Sequence, residues 1–156
     1  MAGATYDVTD GGATKLMELR QTAGVWFKKF NLQDLLTEAG AGTVAEVDDY
    51  FELLNIPPRT TVLMGGVIPT IADGAVLTAS LGDGAQVDGF ANGVDLNTTT
   101  ALATLVGDAY GFTAAQGKYY ATADTLDLKI VTIGAQTSHL AEFIVWGFMF
   151  QIPDSF

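Results

Sequence analysis

The sequence predicts an all-β domain, a sandwich or a barrel with at most short helical turns. Runs rich in Val, Thr, Ile, Phe and Tyr are short, and 18 glycines and four prolines divide them at close intervals. Short strand-forming runs separated by turn residues are typical of sandwiches and barrels. In addition, Leu126, Leu128 and Ile130 alternate with Asp127 and Lys129, which is the period of a half-buried strand. At 156 residues the chain has the usual size of one domain.

The first half of the chain predicts an arm, several strands and a short helix. Residues 1–14 are rich in Gly, Thr and Asp without a core pattern, so we expect an extended N-terminal arm before a single β-sandwich domain over residues 15–156. A helix is predicted over Gln33–Ala39. Gly65-Gly66 permits a bulge or bend, and Asp73-Gly74 is a hairpin signal. The predicted strands are Lys15–Leu19, Val25–Leu32, Tyr50–Ile56, Thr60–Met64, Val67–Ala72 and Val76–Leu81.

The second half opens on a segment rich in turn residues. Residues 82–97 contain four glycines and three aspartates, which leaves little room for regular structure, so they are predicted to form the longest loop. Ala101–Val106 fits a helical turn or a strand equally well, whereas Lys118–Ala121 and Thr125–Ile133 predict strands. The closing run, Glu142–Ile152, is almost entirely apolar. It predicts either a central strand buried on both faces or a strand with one face against another subunit.

Composition limits the partners that the chain can have. Seven basic and 18 acidic residues give a net charge of -11, which repels nucleic acid. Charged residues make up only 16% of the chain, so much of the surface is neutral or is covered by partner subunits. There are no cysteines. Met1–Asp10 lacks the layout of a signal peptide and no apolar run reaches about 18 residues, so we expect a protein made in the cytoplasm that does not enter a membrane.

Catalytic motifs are missing from the sequence. His139 is the single histidine, and its place in a turn-like segment predicts an ordinary exposed or capping residue, with Ser138 in no nucleophile-elbow context. Gly111–Lys118 has five residues between its glycines and is followed by Tyr119, so it fails as a phosphate loop. A pair of catalytic carboxylates stays open as a remote option, since spacing alone cannot choose one. The chain is therefore predicted to be no enzyme and to have no cofactor.

The aspartates of residues 82–97 allow three interpretations. Asp83, Asp88 and Asp95, with Asn92 and Asn97, are hard oxygen donors of the kind that calcium takes, and they are weak candidates for a calcium site. Their spacing is not that of an EF-hand. The favoured interpretation is turn chemistry, in which Asx side chains and glycines form tight bends, and contact with a partner is the third. No metal is predicted.

Several segments, in this order, resemble a family of small virion proteins of tailed bacteriophages that decorate or cement the capsid. They are TYDVTDGGAT (Thr5–Thr14), DDYFELLNIPPRTTVL (Asp48–Leu63), GGV (Gly65–Val67), LGDGAQVDGFANGVDLN (residues 81–97), ADTLDL (Ala123–Leu128) and a final apolar strand with Val145-Trp146. The resemblance implies an antiparallel, jelly-roll-like β-sandwich that trimerises on the outer surface of a phage head. It also implies the major capsid protein as partner and brings no catalytic residues.

A homotrimer on a three-fold site needs apolar surface between its subunits. The candidates for this trimer interface are Phe143, Val145, Phe148, Phe150 and Phe156. For the contact with the capsid we expect the N-terminal arm, with Thr5, Tyr6, Asp7, Val8 and Thr9, because it could become ordered on binding. The competing interpretation of the arm is a frayed terminus.

A second class of function is a carbohydrate-binding or receptor-binding module of a virion. Trp26, Phe27 and Trp146 could stack on sugars, although such aromatic residues more often fill the core. Binding to glycans without binding to capsids would favour this class.

Overall fold

The computed structural model describes residues 5–7, 24–40, 42, 44–99 and 117–151. These residues form nine strands and one short helix. In chain order they are β1 (Thr5–Asp7), β2 (Gly24–Asn31), α1 (Leu32–Glu38), β3 (Tyr50–Ile56), β4 (Thr60–Ile71), β5 (Leu77–Gly82), β6 (Ala91–Asp95), β7 (Lys118–Tyr120), β8 (Asp124–Ile133) and β9 (Glu142–Gln151). The predicted all-β class is confirmed, and the helix lies within one residue of its predicted bounds.

The strands form two sheets in the order β1-β3-β8-β5-β6 and β2-β9-β4-β7. Apart from the parallel pair of β1 and β3, the pairs are antiparallel. From β2 onward the chain changes sheet at every connection except the β5–β6 hairpin. Without β1, the eight strands β2–β9 lie in the strand order of a jelly roll. The predicted antiparallel, jelly-roll-like sandwich is therefore confirmed.

The core fills the space between the sheets. Because successive side chains of a strand point to opposite faces, the inner positions of each sheet are apolar and the two inner faces pack together. The largest fully buried side chains include Phe51 of β3, Phe143 of β9 and Leu128 of β8. Helix α1 adds Leu32, Leu35 and Leu36 to the same core. Its N-cap is Asn31, whose side chain accepts a hydrogen bond from the backbone N–H of Asp34, a preferred capping arrangement.

Three predictions about local structure were wrong. The predicted segments Thr60–Met64 and Val67–Ala72 belong, apart from Ala72, to one long strand, β4, whose register shifts between Val62 and Met64. Asp73-Gly74 does not form a hairpin, because β4 and β5 lie in different sheets. Residues 82–97 are not all loop, since β6 pairs with β5 there. In the first two cases pairing with distant strands outweighs the local turn signal, and in the third β6 pairs with β5, the preceding strand.

The division into an arm and one domain stays a prediction. Thr5–Asp7 form β1 beside β3, and residues 1–4 and 8–14 lie outside the described residues, as do the predicted strand Lys15–Leu19 and the segment Ala101–Val106. Within the part of the chain that the structure describes, no helix is long and apolar enough to cross a membrane.

Candidate functional site

The outer face of the β2-β9-β4-β7 sheet carries an apolar surface. Its most exposed side chains are Phe27, at 74% of its full exposure, and Val25, at 70%. Met64 of β4 and Tyr119 of β7 are about half exposed. Between them lie three partly exposed aromatic residues of β9. We call this surface the apolar face and define it by Val25, Phe27, Met64, Tyr119, Trp146, Phe148 and Phe150.

Strand pairing brings these residues side by side. Val25 and Met64 flank Phe148 from either side, and Phe27 lies directly opposite Trp146. Cross-strand neighbours on one face have Cβ atoms about 5 Å apart, so the rows form one continuous surface. The bulge between Val62 and Met64 keeps Met64 on this face and Val62 in the core.

The two faces of β9 separate the predicted trimer-interface residues. Phe143 and Val145 are fully buried and belong to the core of the subunit, so they have no surface left for a partner. Phe148 and Phe150 lie on the apolar face and are partly exposed. Phe156 lies outside the described residues. The trimer stays a prediction, and of the four named residues that the structure describes, Phe148 and Phe150 are the two with surface left for a partner.

On the inner side of the same sheet, Trp26 can pack because residue 147 is a glycine. Gly147 pairs with Trp26 across β2 and β9, and the Trp26 indole lies over the space that a side chain would fill. A Cβ at residue 147 would lie 2.6 Å from Cε2 of Trp26, closer than nonbonded carbon atoms approach. Trp26 is consequently buried, at 8% exposure, and unavailable to a sugar.

One ion pair marks the margin of the apolar face. Lys29 of β2 pairs with Glu142 at the start of β9, and a hydrogen bond from Lys29 holds the pKa of Glu142 below its ordinary value. Among the described residues whose side chains point outward from this sheet, these two are the charged ones. The face therefore carries no net charge on a chain whose formal net charge is -11.

Asp83 forms a buried polar contact between the two sheets. It follows β5 of one sheet, and its Oδ2 accepts hydrogen bonds from Lys118 Nζ at 2.5 Å and from Tyr120 Oη at 2.6 Å, both on β7 of the other sheet. Its Oδ1 accepts from the backbone N–H groups of Ala85 and Gln86. Burial acts to raise the pKa of Asp83, but these hydrogen bonds and the charge of Lys118 outweigh it, and the pKa is lowered.

The predicted calcium candidates are not brought together. Asp83 is fully buried and occupied by the contacts just described, and Asp95 is exposed and accepts a hydrogen bond from the backbone N–H of Asn97. In the described ranges, no three His, Cys, Asp or Glu side chains are placed to hold a metal ion. Asp83 and Asp95 instead make the local hydrogen bonds of Asx turns.

Asp127 is the least satisfied of the buried acids. By alternation it should be on the outer, solvated face of β8, yet it is 1% exposed. Its Oδ1 has no hydrogen-bond partner among the described residues. Burial raises the pKa of Asp127 to about 6, although hydrogen bonds from Thr125 and Tyr50 act to lower it. Glu52 and Asp124 add to the increase through charge repulsion.

His139 is buried, so the prediction of an exposed or capping residue was wrong. Its Nε2 accepts a hydrogen bond from the backbone N–H of Ala45 at 3.0 Å, and its Nδ1 lies 3.1 Å from Oδ2 of Asp73. A ring nitrogen that accepts carries no proton, so the tautomer with the proton on Nδ1 fits the contacts with Ala45 and Asp73, and Gln136 Nε2, which donates to the same Asp73 oxygen, also lies beside Nδ1. Asp73 also accepts from the backbone N–H groups of Leu140 and Ala141.

This His–Asp pair is not a catalytic base. A general base needs a ring nitrogen that can reach a substrate proton, and Nε2 is blocked by Ala45 in the interior. The pair instead joins three loops, after α1, after β4 and before β9. The sequence offered no signal for it, because the bond between Ala45 and His139 spans 94 residues.

Three of the five predicted capsid-contact residues lie beside β3 in the other sheet. Thr5, Tyr6 and Asp7 form β1, which pairs with Tyr50, Phe51 and Glu52 of β3. Val8 and Thr9 lie outside the described residues. The role of this segment in binding a capsid stays a prediction.

No protein-family model and no curated protein sequence matches the chain. Two solved structures are similar to it. A chain of the capsid of Ralstonia phage GP4 superimposes with a TM-score of 0.58 at 13% identity, over 97% of this chain and 100% of that chain. A chain of the cyanophage Pam1 capsid asymmetric unit does so with a TM-score of 0.53 at 14% identity, over 88% of this chain and 98% of that chain. The likeness is one of fold, and it extends over 88% or more of each chain.

Proposed function

We propose that this chain is a structural protein of a phage virion that binds the outer surface of the head and stabilises it, as a homotrimer. The observation that carries the proposal is the extent of the fold similarity. Each superposition covers nearly all of this chain and nearly all of the matched capsid chain. The shared unit is thus a separate chain of this size in both capsids, which suits a small accessory subunit.

The chemistry of the described residues supports a structural role over an enzymatic one. The His139–Asp73 pair is buried and satisfied by backbone groups. The Asp83 carboxylate is fully buried between the sheets with Lys118 and Tyr120. Both sets stabilise the fold and neither is open to a substrate, so we infer a protein that acts by binding.

The stabilising effect would follow from mass action. A subunit that binds the assembled head, and not its separated components, shifts the equilibrium toward the assembled head by RT ln(1 + [L]/Kd) for each site. A trimer places three copies of each contact against the lattice, so weak contacts reinforce one another. The major capsid protein is the proposed partner, and residues 5–9 are the proposed contact segment.

Co-sedimentation with heads tests the proposal. Heads of the phage that encodes this chain are prepared without the protein, mixed with the purified protein and pelleted, with an unrelated acidic protein as control. We expect saturable co-sedimentation and a higher temperature of head disruption. Protein that stays in the supernatant at every concentration would refute the proposed function.

The glycan-binding alternative receives less support from the geometry. Trp26 is buried and Trp146 is partly covered, so of the three aromatic residues considered only Phe27 is well exposed. Binding to a glycan array together with failure to bind heads would favour that alternative.

A further inference from the structure

We propose that Asp127 and Tyr50 form a proton-dependent latch that fastens residues 83–87 to the outer face of the β1-β3-β8-β5-β6 sheet. The latch closes when Asp127 carries a proton and loosens when Asp127 gives the proton up. This inference goes beyond the proposed function and does not rest on it, because neither a capsid nor a second copy of the chain takes part in the movement.

The turn formed by residues 83–87 folds back over the face to which Asp127 points. Gly82 lies opposite Asp127 in the pair of β5 and β8, and side chains at opposed positions lie on the same face of a sheet. The turn occupies the place of a side chain at Gly82, since a Cβ there would overlap the carbonyl oxygen of Gln86 and lie 2.5 Å from the carbonyl carbon of Val87. The turn therefore helps to bury Asp127, which is 1% exposed.

The 83–87 turn is attached to two strands. Within the turn, Asp83 and Gln86 exchange backbone hydrogen bonds of 3.0 and 3.1 Å. The Asp83 carboxylate accepts hydrogen bonds from Lys118 and Tyr120 of β7, and the Tyr50 hydroxyl of β3 donates to the Asp83 carbonyl at 2.7 Å. The bond from Tyr50 is thus the one that joins the turn to β3.

The Tyr50 hydroxyl has one proton for two acceptors. It contacts the Asp127 carboxyl group as well as the Asp83 carbonyl, and it stays a phenol because burial and the nearby acids raise its pKa. A protonated Asp127 can donate to Tyr50 Oη, which leaves the phenol proton for the Asp83 carbonyl. An ionised Asp127 only accepts, so it competes for the phenol proton and the carbonyl loses this donor.

The protonated state suits the surroundings of Asp127. Its Oδ1 has no hydrogen-bond partner among the described residues, and an unpartnered oxygen costs less in a neutral acid than in a buried carboxylate. Burial raises the pKa of Asp127 to about 6, and repulsion from Glu52, its cross-strand neighbour, and from Asp124 acts in the same direction. The other titratable or charged groups around the latch are Asp83, Lys118, Tyr120 and the ion pair of Lys129 with Asp48.

These directions set the sign of the pH dependence. Because the closed turn raises the pKa of Asp127, the contribution of the proton to closing is complete below the ordinary value of about 3.9 and is lost as the pH rises through about 6. The turn should therefore open more often at neutral pH than in weak acid, while the rest of the sandwich stays folded.

Amide hydrogen exchange followed by NMR tests the latch. The backbone N–H groups of Asp83 and Gln86 are bonded across the turn, and that of Leu32 is bonded to Ala141 in the interior. Their protection factors, from which the intrinsic pH dependence of exchange has been removed, are compared between pH 5 and pH 7.5 with and without a low concentration of urea. Local opening exposes little surface, so exchange in the turn should respond to urea less than exchange at Leu32.

We expect the protection of the two turn amides in the parent to fall about tenfold from pH 5 to pH 7.5. Asp127→Asn carries an amide that can donate to Tyr50 at either pH, so its protection should stay high. Tyr50→Phe lacks the hydroxyl, and at pH 5 its protection should fall toward the parent value at pH 7.5. Asp88→Asn is the matched control, because it makes the same chemical change outside the latch, and it should follow the parent.

Four results would overturn the proposal. They are turn protection that does not change with pH, an Asp127→Asn variant that responds to pH as the parent does, parent-like protection in Tyr50→Phe at pH 5, and loss of the pH response in Asp88→Asn. Exchange in the turn with the protection and urea dependence of Leu32 would also contradict it, since the turn would then open only when the whole chain unfolds.

Discussion

Lys118 and Asp83 connect the two sheets of the sandwich, with Nζ of the lysine 2.5 Å from Oδ2 of the aspartate. Asp83 is completely buried, whereas the Lys118 side chain keeps about a quarter of its exposure. The ion pair therefore matters more to Asp83 than to Lys118, because removing the lysine leaves the aspartate charge in the interior without its cation. The two residues stand 35 positions apart in the chain.

Replacing Lys118 should destabilise the fold. Lys118→Met keeps the apolar stem of the side chain and removes the charge, and we expect the free energy of unfolding to fall by about 3 kcal/mol. Lys29→Met is the control, because Lys29 is an exposed partner of Glu142 and its loss should cost less than about 1 kcal/mol. Urea unfolding measures both, and equal losses would contradict the structural role of the Asp83–Lys118 contact.

The same pair should show a defined pH dependence. The pKa of Asp83 is lowered in the folded state, so its contribution to stability is present above the unfolded value of about 3.9 and is lost as the pH falls through the folded value. The difference between the parent and Lys118→Met should therefore shrink below about pH 4. A difference that stays constant from pH 7 to pH 3 would show that the carboxylate charge is not what Lys118 stabilises.

Asp127 should have the opposite pH dependence. The pKa of Asp127 is raised to about 6 in the folded state, so folding favours the protonated form. Its contribution to the free energy of unfolding is fully present below the unfolded pKa near 3.9 and is lost as the pH rises through about 6. Asp127→Asn removes the buried charge. At pH 7.5 we expect the variant to be more stable than the parent by about 2 to 3 kcal/mol, with no difference near pH 4.

Asp88→Asn is the control for that comparison, since it makes the same chemical change in the segment between β5 and β6. We expect Asp88→Asn to match the parent at both pH values. Urea unfolding at several pH values between 4 and 8 is the measurement. A destabilised Asp127→Asn at pH 7.5 would mean that the carboxylate is ionised and satisfied in the folded protein.

Gly147→Ala should disturb the packing of Trp26. The added methyl group would lie 2.6 Å from Cε2 of the indole, so either the ring or β9 has to move, and overpacking of this kind costs about 1 to 3 kcal/mol. Displacing Trp26 toward water should also shift its fluorescence to longer wavelength. Gly84→Ala is the control, because nothing lies within 4 Å of a Cβ at that position, and there we expect neither effect.

His139→Ala should show that the buried pair is structural. The substitution leaves the backbone N–H of Ala45 without its acceptor and removes the ring beside Asp73, whose Oδ2 keeps the hydrogen bond from Gln136. We expect a loss of about 2 to 4 kcal/mol in the free energy of unfolding. Ser138→Ala, at the exposed neighbouring position, should change stability by less than about 0.5 kcal/mol. Thermal unfolding compares the two variants, and equal melting temperatures would contradict this role.

The sequence predicted the strands well because the strand pattern is local. The alternation in β8 and the apolar run of β9 identified these strands, and burial follows the alternation in β8 except at Asp127. The side to which each residue points could not be assigned in β9, since Phe143 and Phe148 are equally apolar and only the pairing with β2 and β4 separates them. That is why the predicted trimer interface mixed core and surface residues.

Contacts between distant segments were beyond prediction from one sequence. Asp73-Gly74 has the composition of a hairpin turn, but Asp73 is buried with His139, 66 residues away. Ala91–Asp95 has weak strand propensity and becomes β6 because β5 offers it an edge. Both outcomes depend on which sheet each strand joins, and that choice is made by the packing of the whole core.

Residues 2–12 should be required for binding of the chain to a phage head. Deleting residues 2–12 removes β1, whose three residues pair with β3, together with the rest of the proposed contact segment. We expect binding to heads to be lost, while the melting temperature and the native mass change little, because the core and the apolar face remain intact. A variant carrying the same residues in scrambled order controls for chain length, and full binding by either variant would assign the capsid contact to another surface.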